Sequence, residues 1–130
     1  MEINQRQFGS RYEIKTYLGV SMQVMVPEDM FAHKLMAMCE RVGRTSRDVF
    51  DVWFFLNNRF AINKTIVEQR AKMPFDQLVQ KCIVQLEKMS NRHILVGIGE
   101  LLTVHQKEWA RAKLRDETIS LLKLRLESEE

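Results

Sequence analysis

The chain has 130 residues, of which 45% are hydrophobic and 28% charged, and its formal net charge is +3. One domain of this length buries roughly two thirds of its extended-chain surface, so no second domain is required, and the mildly basic balance permits a phosphate-bearing partner without demanding one. No apolar run approaches the roughly 20 residues of a membrane helix, and the residues after Met1 lack the pattern of a secretion signal. We therefore expect a cytoplasmic protein with no membrane partner.

Strand-like alternation is confined to the first 26 residues. Aromatic or aliphatic side chains alternate with polar ones over residues 11–18 and again over residues 21–26, which predicts two neighbouring strands that meet at Gly19. Two strands alone are barely stable in water. We expect them to pack on helices or to belong to a larger sheet whose remainder is absent from the chain.

From Pro27 onward the apolar residues recur at helical spacing. Pro27 suits the first turn of a helix, which ends near Gly43, and Asn63 is a good cap for a short helix. The predicted helices cover residues 27–42, 45–58, 64–72, 74–89 and 104–126. Gly97 and Gly99 make residues 93–102 either a weak helix or a place where another helix approaches closely. The predicted fold class is thus α+β, mainly α: a strand-rich region over residues 1–26, then a helical domain over residues 27–130 with a bundle of about five to six helices.

The helix predicted over residues 45–58 is apolar on nearly all sides, which predicts that it is buried on most sides, yet it carries Asp48 and Asp51. A buried unpaired carboxylate costs several kcal/mol, so both need partners. The cations within reach are Lys34, Arg44 and Arg47. One interpretation is a phosphate-handling site, in which Lys34 neutralises a nucleotide phosphate and the carboxylates orient it or assist proton transfer. The other is a structural ion-pair network between two helices, which spacing alone favours.

Three arginines, Arg41, Arg44 and Arg47, surround the turn between the first two helices. This arginine arc suits contact with RNA or nucleotide phosphates, but it equally suits a solvated loop in which Arg47 pairs with Asp51 four residues later. Both interpretations stay open.

The cysteines and histidines do not form a metal-binding pattern. Cys39 and Cys82 have no neighbouring cysteine, and the histidines have no ligand spacing. Free buried thiols are therefore expected, as in a reducing compartment.

Two motifs follow one another in this half of the chain: Pro-Glu-Asp-Met-Phe-Ala-His-Lys-Leu over residues 27–35, and Arg-Asp-Val-Phe-Asp-Val-Trp-Phe over residues 47–54. In this order they resemble the second half of the AbiEii/AbiGii-type toxin nucleotidyltransferases of abortive infection and toxin–antitoxin systems. The resemblance implies a polymerase-β-like enzyme that transfers nucleotides from NTP to RNA, with Mg²⁺ held by carboxylates. It also implies two partners, an RNA acceptor and an antitoxin protein.

The resemblance assigns roles to five residues. Lys34 matches the family's lysine near the phosphates, and Arg47 joins it as a cofactor-binding residue. Asp48 and Asp51 match the carboxylates of the Arg-Asp-x-x-Asp motif and are the implied catalytic residues. Glu2 matches a carboxylate on a late strand of the catalytic sheet and is the implied metal ligand.

The family's main metal ligands, a Gly-Ser loop followed by Asp-x-Asp, do not occur in this sequence. Gly9-Ser10 is followed by Val20-Ser21-Met22 where the carboxylates belong, and two-metal chemistry cannot run on Glu2 alone. We therefore expect the C-terminal portion of such an enzyme, inactive without a missing N-terminal catalytic portion and unable to bind Mg²⁺ and NTP tightly. Two alternatives remain: a helical protein-interaction module without catalytic activity, and a degenerate RNA-binding remnant that uses the arginine arc.

Overall fold

The described part of the chain begins with a β-hairpin. The computed structural model describes residues 11–17, 20–42, 44–90 and 94–128, so Glu2 and Gly9-Ser10 lie outside the described residues. Strands β1 (Tyr12–Tyr17) and β2 (Val20–Met25) pair antiparallel, with Tyr12 opposite Met25. The predicted strand pair is confirmed.

Helices make up the rest of the described chain. They are α1 (Pro27–Arg41), α2 (Arg47–Asn57), α3 (Lys64–Ala71), α4 (Phe75–Lys88), α5 (Val104–Trp109) and α6 (Arg115–Ser128). The π-helical segment Ala110–Leu114 joins α5 to α6, so one long helix continues from α5 to the end of α6. The predicted fold class, α+β and mainly α, is confirmed, and the helix count within the described ranges agrees with the prediction.

Two helix predictions need correction. Pro74 lies at the cap position before α4 with an extended backbone, and not in the first helical turn. Of the two alternatives for residues 93–102, the weak helix is wrong, because residues 94–98 form turns that lead into the short 3₁₀ helix Gly99–Leu101. The close approach agrees with the structure, because Gly97 lies against Thr45 just before α2. Gly97 has a φ of +83°, which an α-helix cannot contain.

The core lies between α1, α2, α4 and α6. Fully buried side chains from all four helices meet there, among them Phe31, Leu35, Val52, Leu78 and Leu122. Burying each of the larger ones stabilises the fold by about 1.5–3 kcal/mol relative to exposure. None of the described helices is long and apolar enough to span a membrane.

Helix α2 is less enclosed than its sequence suggests. Its buried apolar residues are Val49, Val52, Phe55 and Leu56. Phe54, however, is 48% exposed, and Phe50 and Trp53 are half-buried. The prediction of burial on most sides is therefore wrong for one side, because α1 and α6 cover α2 only in part.

A buried carboxylate joins the hairpin to the helices. Asp29, fully buried in the first turn of α1, accepts hydrogen bonds from the backbone N–H and the guanidinium of Arg11 and from Nδ2 of Asn63, the last at 2.9 Å. Burial alone would raise the pKa of Asp29, but the hydrogen bonds from Arg11 and Asn63 outweigh it and hold that pKa below its usual value.

The two cysteines are free and buried, as predicted. Cys39 on α1 also lies 3.5 Å from Oε1 of Gln85 on α4. A hydrogen bond between the two thiols lowers the pKa of Cys39 to about 7 and raises that of Cys82.

The long C-terminal helix is fixed to α2 through aromatic rings. The ring centroids of Trp53 and Trp109 are 4.6 Å apart, and Nε1 of Trp53 donates a 3.0 Å hydrogen bond to Glu117. Trp109 lies just before the π-helical segment and Glu117 just after it, so the rings and this hydrogen bond hold both of its flanks against α2.

Candidate nucleotide site

Lys34 on α1 and Asp51 on α2 form an ion pair across the two helices. Nζ of Lys34 is 2.9 Å from Oδ2 of Asp51, and the two side chains are 39% and 40% exposed. With this exposure, Lys34 lies at the edge of the buried face of α1 and not inside it. Because both charges remain accessible to solvent, the pair contributes little to stability, about 0.2–1 kcal/mol, and stays open to a ligand.

Asp48 lies deeper than Asp51 and has a different partner. Its Oδ2 is 3.2 Å from Nε of Arg41, but that oxygen accepts no hydrogen bond from the described residues, since the two groups are poorly aligned. Burial raises the pKa of Asp48, although Arg41 and Lys34 oppose that rise. The ion-pair partner of Asp48 is thus Arg41, which is not among Lys34, Arg44 and Arg47, the cations that the spacing had suggested. The charges of Lys34 and Arg47 nevertheless act on Asp48 and oppose the rise of its pKa.

The arginine arc is exposed at the turn that leads into α2. Arg41, Arg44 and Arg47 all have solvent-exposed side chains. Asp51 pairs with Lys34, so the alternative in which Arg47 pairs with Asp51 is wrong for this structure. The side chain of Arg47 is exposed in the first turn of α2 and forms no ion pair with another described residue, so it can meet a ligand there.

A cleft of about 370 Å³ opens beside the ion pair. It is lined by Arg47, Phe50, Asp51, Ile98, Leu102 and Gln106. The backbone N–H of Ser46 donates a 2.8 Å hydrogen bond to the carbonyl of Val96, which fixes the turn before Ile98 against the start of α2. A Cβ at Gly97 would lie 2.3 Å from Oγ1 of Thr45, so glycine is required for this close approach.

Four of the lining residues were not identified from the sequence. Phe50 belongs to the helix that the sequence predicts to be buried on most sides. Ile98 and Leu102 lie in the stretch that the sequence predicts to be a weak helix or a place of close approach. Gln106 carried no signal beyond helix formation. These residues meet only because the loop after α4 folds back onto α2, which is a tertiary contact that local patterns do not encode.

One family model matches the sequence over residues 1–125, and its description is "Nucleotidyl transferase AbiEii toxin, Type IV TA system". The chain belongs to the AbiEii nucleotidyltransferase toxin family. The match includes both motifs on which the resemblance was based, so that prediction is confirmed. No curated protein and no solved structure matches the chain.

AbiEii-type chemistry implies Mg²⁺, but the described residues do not fit a complete metal centre. They contain no group of three His, Cys, Asp or Glu side chains close enough to hold a metal ion. Mg²⁺ requires octahedral oxygen ligands, whereas Asp48 and Asp51 each face a cation already. Glu2, the predicted metal ligand, lies outside the described residues. What the described AbiEii residues bring together is a set of cations suited to phosphates.

Proposed function

We propose that this chain carries the nucleotide-binding half of an AbiEii-type active site, which transfers a nucleotide from NTP to an RNA acceptor. The observation that supports it best is the half-exposed Lys34–Asp51 pair, 2.9 Å apart, at a cleft that Arg47 and Asp51 line. These are the residues that the family motifs single out. An antitoxin protein is the second proposed partner, and the cytoplasm, where NTP and RNA occur together, is the proposed location.

Lys34 and Arg47 would bind the phosphates. An ammonium group has three donors, so Lys34 can keep its contact with Asp51 and still donate to a phosphate oxygen. The planar guanidinium of Arg47 can donate two parallel hydrogen bonds to another phosphate group. Both charges would offset the negative charge that develops when an acceptor hydroxyl attacks the α-phosphorus and pyrophosphate leaves.

The two carboxylates would have unequal roles. Asp51 is 40% exposed and holds Lys34, so we assign it the catalytic position next to the phosphates. Asp48 is only 3% exposed and lies beside Arg41, so it acts as a positioning residue for the arginine arc.

The chain alone would not catalyse transfer. When bound, Mg²⁺ supplies the charge that activates the acceptor and the leaving pyrophosphate, but the sequence has no Gly-Ser loop followed by Asp-x-Asp to hold it. We propose that an N-terminal catalytic portion supplies those carboxylates, with Glu2 as a further ligand.

Phosphate binding can be tested without a metal or a nucleobase. Tripolyphosphate is titrated into the isotope-labelled chain and followed by amide chemical shifts. We expect Lys34→Ala to weaken binding at least tenfold, and expect binding to fall as salt rises. Lys123→Ala, which removes an exposed lysine on α6, is the matched control. Equal binding by the Lys34→Ala variant would contradict the proposal.

Inactivity in isolation has its own test. The chain is incubated with Mg²⁺, labelled NTP and RNA, and incorporation of label is measured. We expect none; Mg²⁺-dependent labelling that Lys34→Ala abolishes would show that these residues complete the site by themselves.

The alternative is a protein-interaction module without catalysis. The exposed apolar side chains Phe54, Val84 and Val104 lie on three different helices, and single exposed hydrophobic residues are normal on a protein surface. The alternative predicts that Lys34→Ala leaves nucleotide transfer unchanged in an enzyme that also contains the N-terminal catalytic portion, whereas the nucleotide site predicts its loss.

A further inference from the structure

We propose that the cleft beside Lys34 and Asp51 binds the nucleobase of the NTP. The inference rests on the proposed function, because Lys34 and Arg47 would hold the phosphates of the same molecule. It goes further by assigning the cleft, with Phe50 as the stacking surface and Gln106 as the polar contact to the base.

The lining of the cleft changes from charged to apolar. Arg47 and Asp51 occupy the charged part, and Phe50, Ile98 and Leu102 form the apolar part. The volume of about 370 Å³ is at the lower end of the range for small-molecule sites. A nucleotide has the same two-part character, since its phosphates are anionic and the faces of its base are flat and apolar.

Phe50 offers an aromatic surface that is held in place. It is half-buried, and its ring centroid is 5.8 Å from that of Trp53, which in turn packs on Trp109. Stacking of a base on an aromatic side chain accounts for roughly tenfold in affinity and tolerates every base. Phe50 is therefore suited to a base of any identity.

Gln106 offers a donor whose orientation is fixed. Its Oε1 accepts a 2.8 Å hydrogen bond from the backbone N–H of Thr103, and Oγ1 of Thr103 accepts one from the backbone N–H of Gln106. This capping box engages the side-chain oxygen of Gln106 and leaves its amino group to donate. The polar contact in the cleft is thus a donor that suits a carbonyl oxygen or a ring nitrogen of a base.

Contacts within the protein hold two walls of the cleft in place. The hydrogen bond from Ser46 to Val96 and the close approach of Gly97 to Thr45 fix one wall, and the capping box fixes another. Little ordering is left to oppose binding, which favours affinity for a small rigid group such as a base.

The experiment compares NTP with tripolyphosphate, which lacks a base. Each of the four NTPs and tripolyphosphate is titrated into the chain, and the ratio of their dissociation constants is obtained from amide shifts. We expect at least one NTP to bind about tenfold more tightly than tripolyphosphate. The largest shift differences between the two ligands should occur at Phe50, Ile98 and Gln106.

Two variants test the assignment of residues. Phe50→Leu keeps an apolar side chain but removes the aromatic face, so it should lower the ratio about fivefold or more. Gln106→Glu keeps the capping acceptor but replaces the donor with an acceptor, so it too should lower the ratio. The two dissociation constants in each ratio are measured on the same variant. A general change in the charge or stability of the protein therefore affects the binding of both ligands and cancels in the ratio.

The outcomes separate the two proposals. A ratio of one in the unaltered chain overturns the base cleft, while loss of tripolyphosphate binding in Lys34→Ala would still support the phosphate site. The ratio could be high in the unaltered chain and fall in Phe50→Leu, while Lys34→Ala binds tripolyphosphate as tightly as the unaltered chain. That result would support the base cleft and overturn the assignment of the phosphates to Lys34. Failure of every ligand to bind at millimolar concentration overturns both.

Discussion

Asp29 and Asp48 lie at the starts of two neighbouring helices, and their surroundings are opposite. Both are in a first helical turn, and they are 0% and 3% exposed. Asp29 accepts hydrogen bonds from Arg11 and Asn63. Asp48 has an oxygen that accepts none from the described residues. The pKa of Asp29 is lowered by its hydrogen bonds in spite of burial, whereas burial raises the pKa of Asp48.

The difference separates a structural carboxylate from a functional candidate. Buried polar groups in proteins are nearly always hydrogen-bonded, so an exception needs an explanation. Carboxylates with a pKa displaced by burial are concentrated at functional sites. Asp29 is explained by the junction that it stabilises, and Asp48 by its place next to Arg41 and near the charge of Lys34.

The largest expected effect comes from Asp29→Asn. The amide keeps the size of the side chain but cannot satisfy both Arg11 and Asn63, and a hydrogen bond between charged groups contributes about 1.5–3 kcal/mol. We expect a loss of about 3 kcal/mol in the free energy of unfolding, measured in urea at neutral pH. Asp76→Asn, an exposed acid in the first turn of α4, should change it by less than about 0.5 kcal/mol. Equal losses of unfolding free energy in Asp29→Asn and Asp76→Asn would contradict the structural role of Asp29.

Asn63→Ala should follow with a loss of about 1–2 kcal/mol. This residue caps α3 by accepting from the N–H of Ile66 and also donates to Asp29, so one substitution removes both contacts. Thermal unfolding measures the effect. Asn58→Ala is the control, because Asn58 is exposed and its side chain bonds only within its own helix end; a comparable loss there would argue against the link to Asp29.

Asp48→Asn should change the free energy of unfolding by less than about 1 kcal/mol, because relief of the buried charge offsets the lost attraction to Arg41. Arg41 is 53% exposed and can rehydrate. The measurement is the same urea titration. A loss as large as that of Asp29→Asn would show that Asp48 is a structural anchor after all.

The smallest and most specific expected effect is the direction in which the free energy of unfolding changes with pH. The pKa of Asp29 is lowered, so its contribution is present above the ordinary value of about 3.9 and is lost as pH falls through the folded-state pKa. The pKa of Asp48 is raised, so its penalty is present above the folded-state pKa and is relieved as pH falls toward 3.9.

Urea unfolding across acid pH measures both slopes. At neutral pH the stability of each variant is compared with that of the unaltered chain. As the solution is acidified, the free energy of unfolding of Asp48→Asn should fall relative to that of the unaltered chain, and that of Asp29→Asn should rise relative to it. The same slope for both variants would contradict the comparison.

The sequence predicted the elements well because their signals are local. Pro27 and Asn63 mark helix starts, and the alternation before them marks the hairpin, all within a few residues of the structure they specify. The role of Asp29 was not predictable. Its partner Arg11 is 18 residues away and Asn63 is 34 residues away. The local sequence around an acid in a first helical turn does not show whether such distant partners contact it.

The candidate site was predicted in part for the same reason. Lys34 and Asp51 stand on two consecutive helices, so their pairing needed only a tight turn. Gln106 comes from a helix more than 50 residues beyond Asp51, and its place in the cleft depends on how the loop after α4 packs. The exposure of Phe54 could not be predicted, because an apolar helix surface does not show how many other helices pack against it.

The π-helical segment Ala110–Leu114 lets the C-terminal helix hold one additional residue without changing the face that α6 turns to the core. Each residue advances an α-helix by about 100°, and a π turn holds one residue more than an α-helical turn in its place. Deleting a single residue there would restore a regular helix and leave Ile119 and Leu122 directed into the core they now enter, whereas the same deletion within α6 would rotate the residues after it. Relatives of this chain should therefore tolerate a one-residue gap in these five positions far better than elsewhere in this helix, which gives sequence alignments of the family a simple criterion for it.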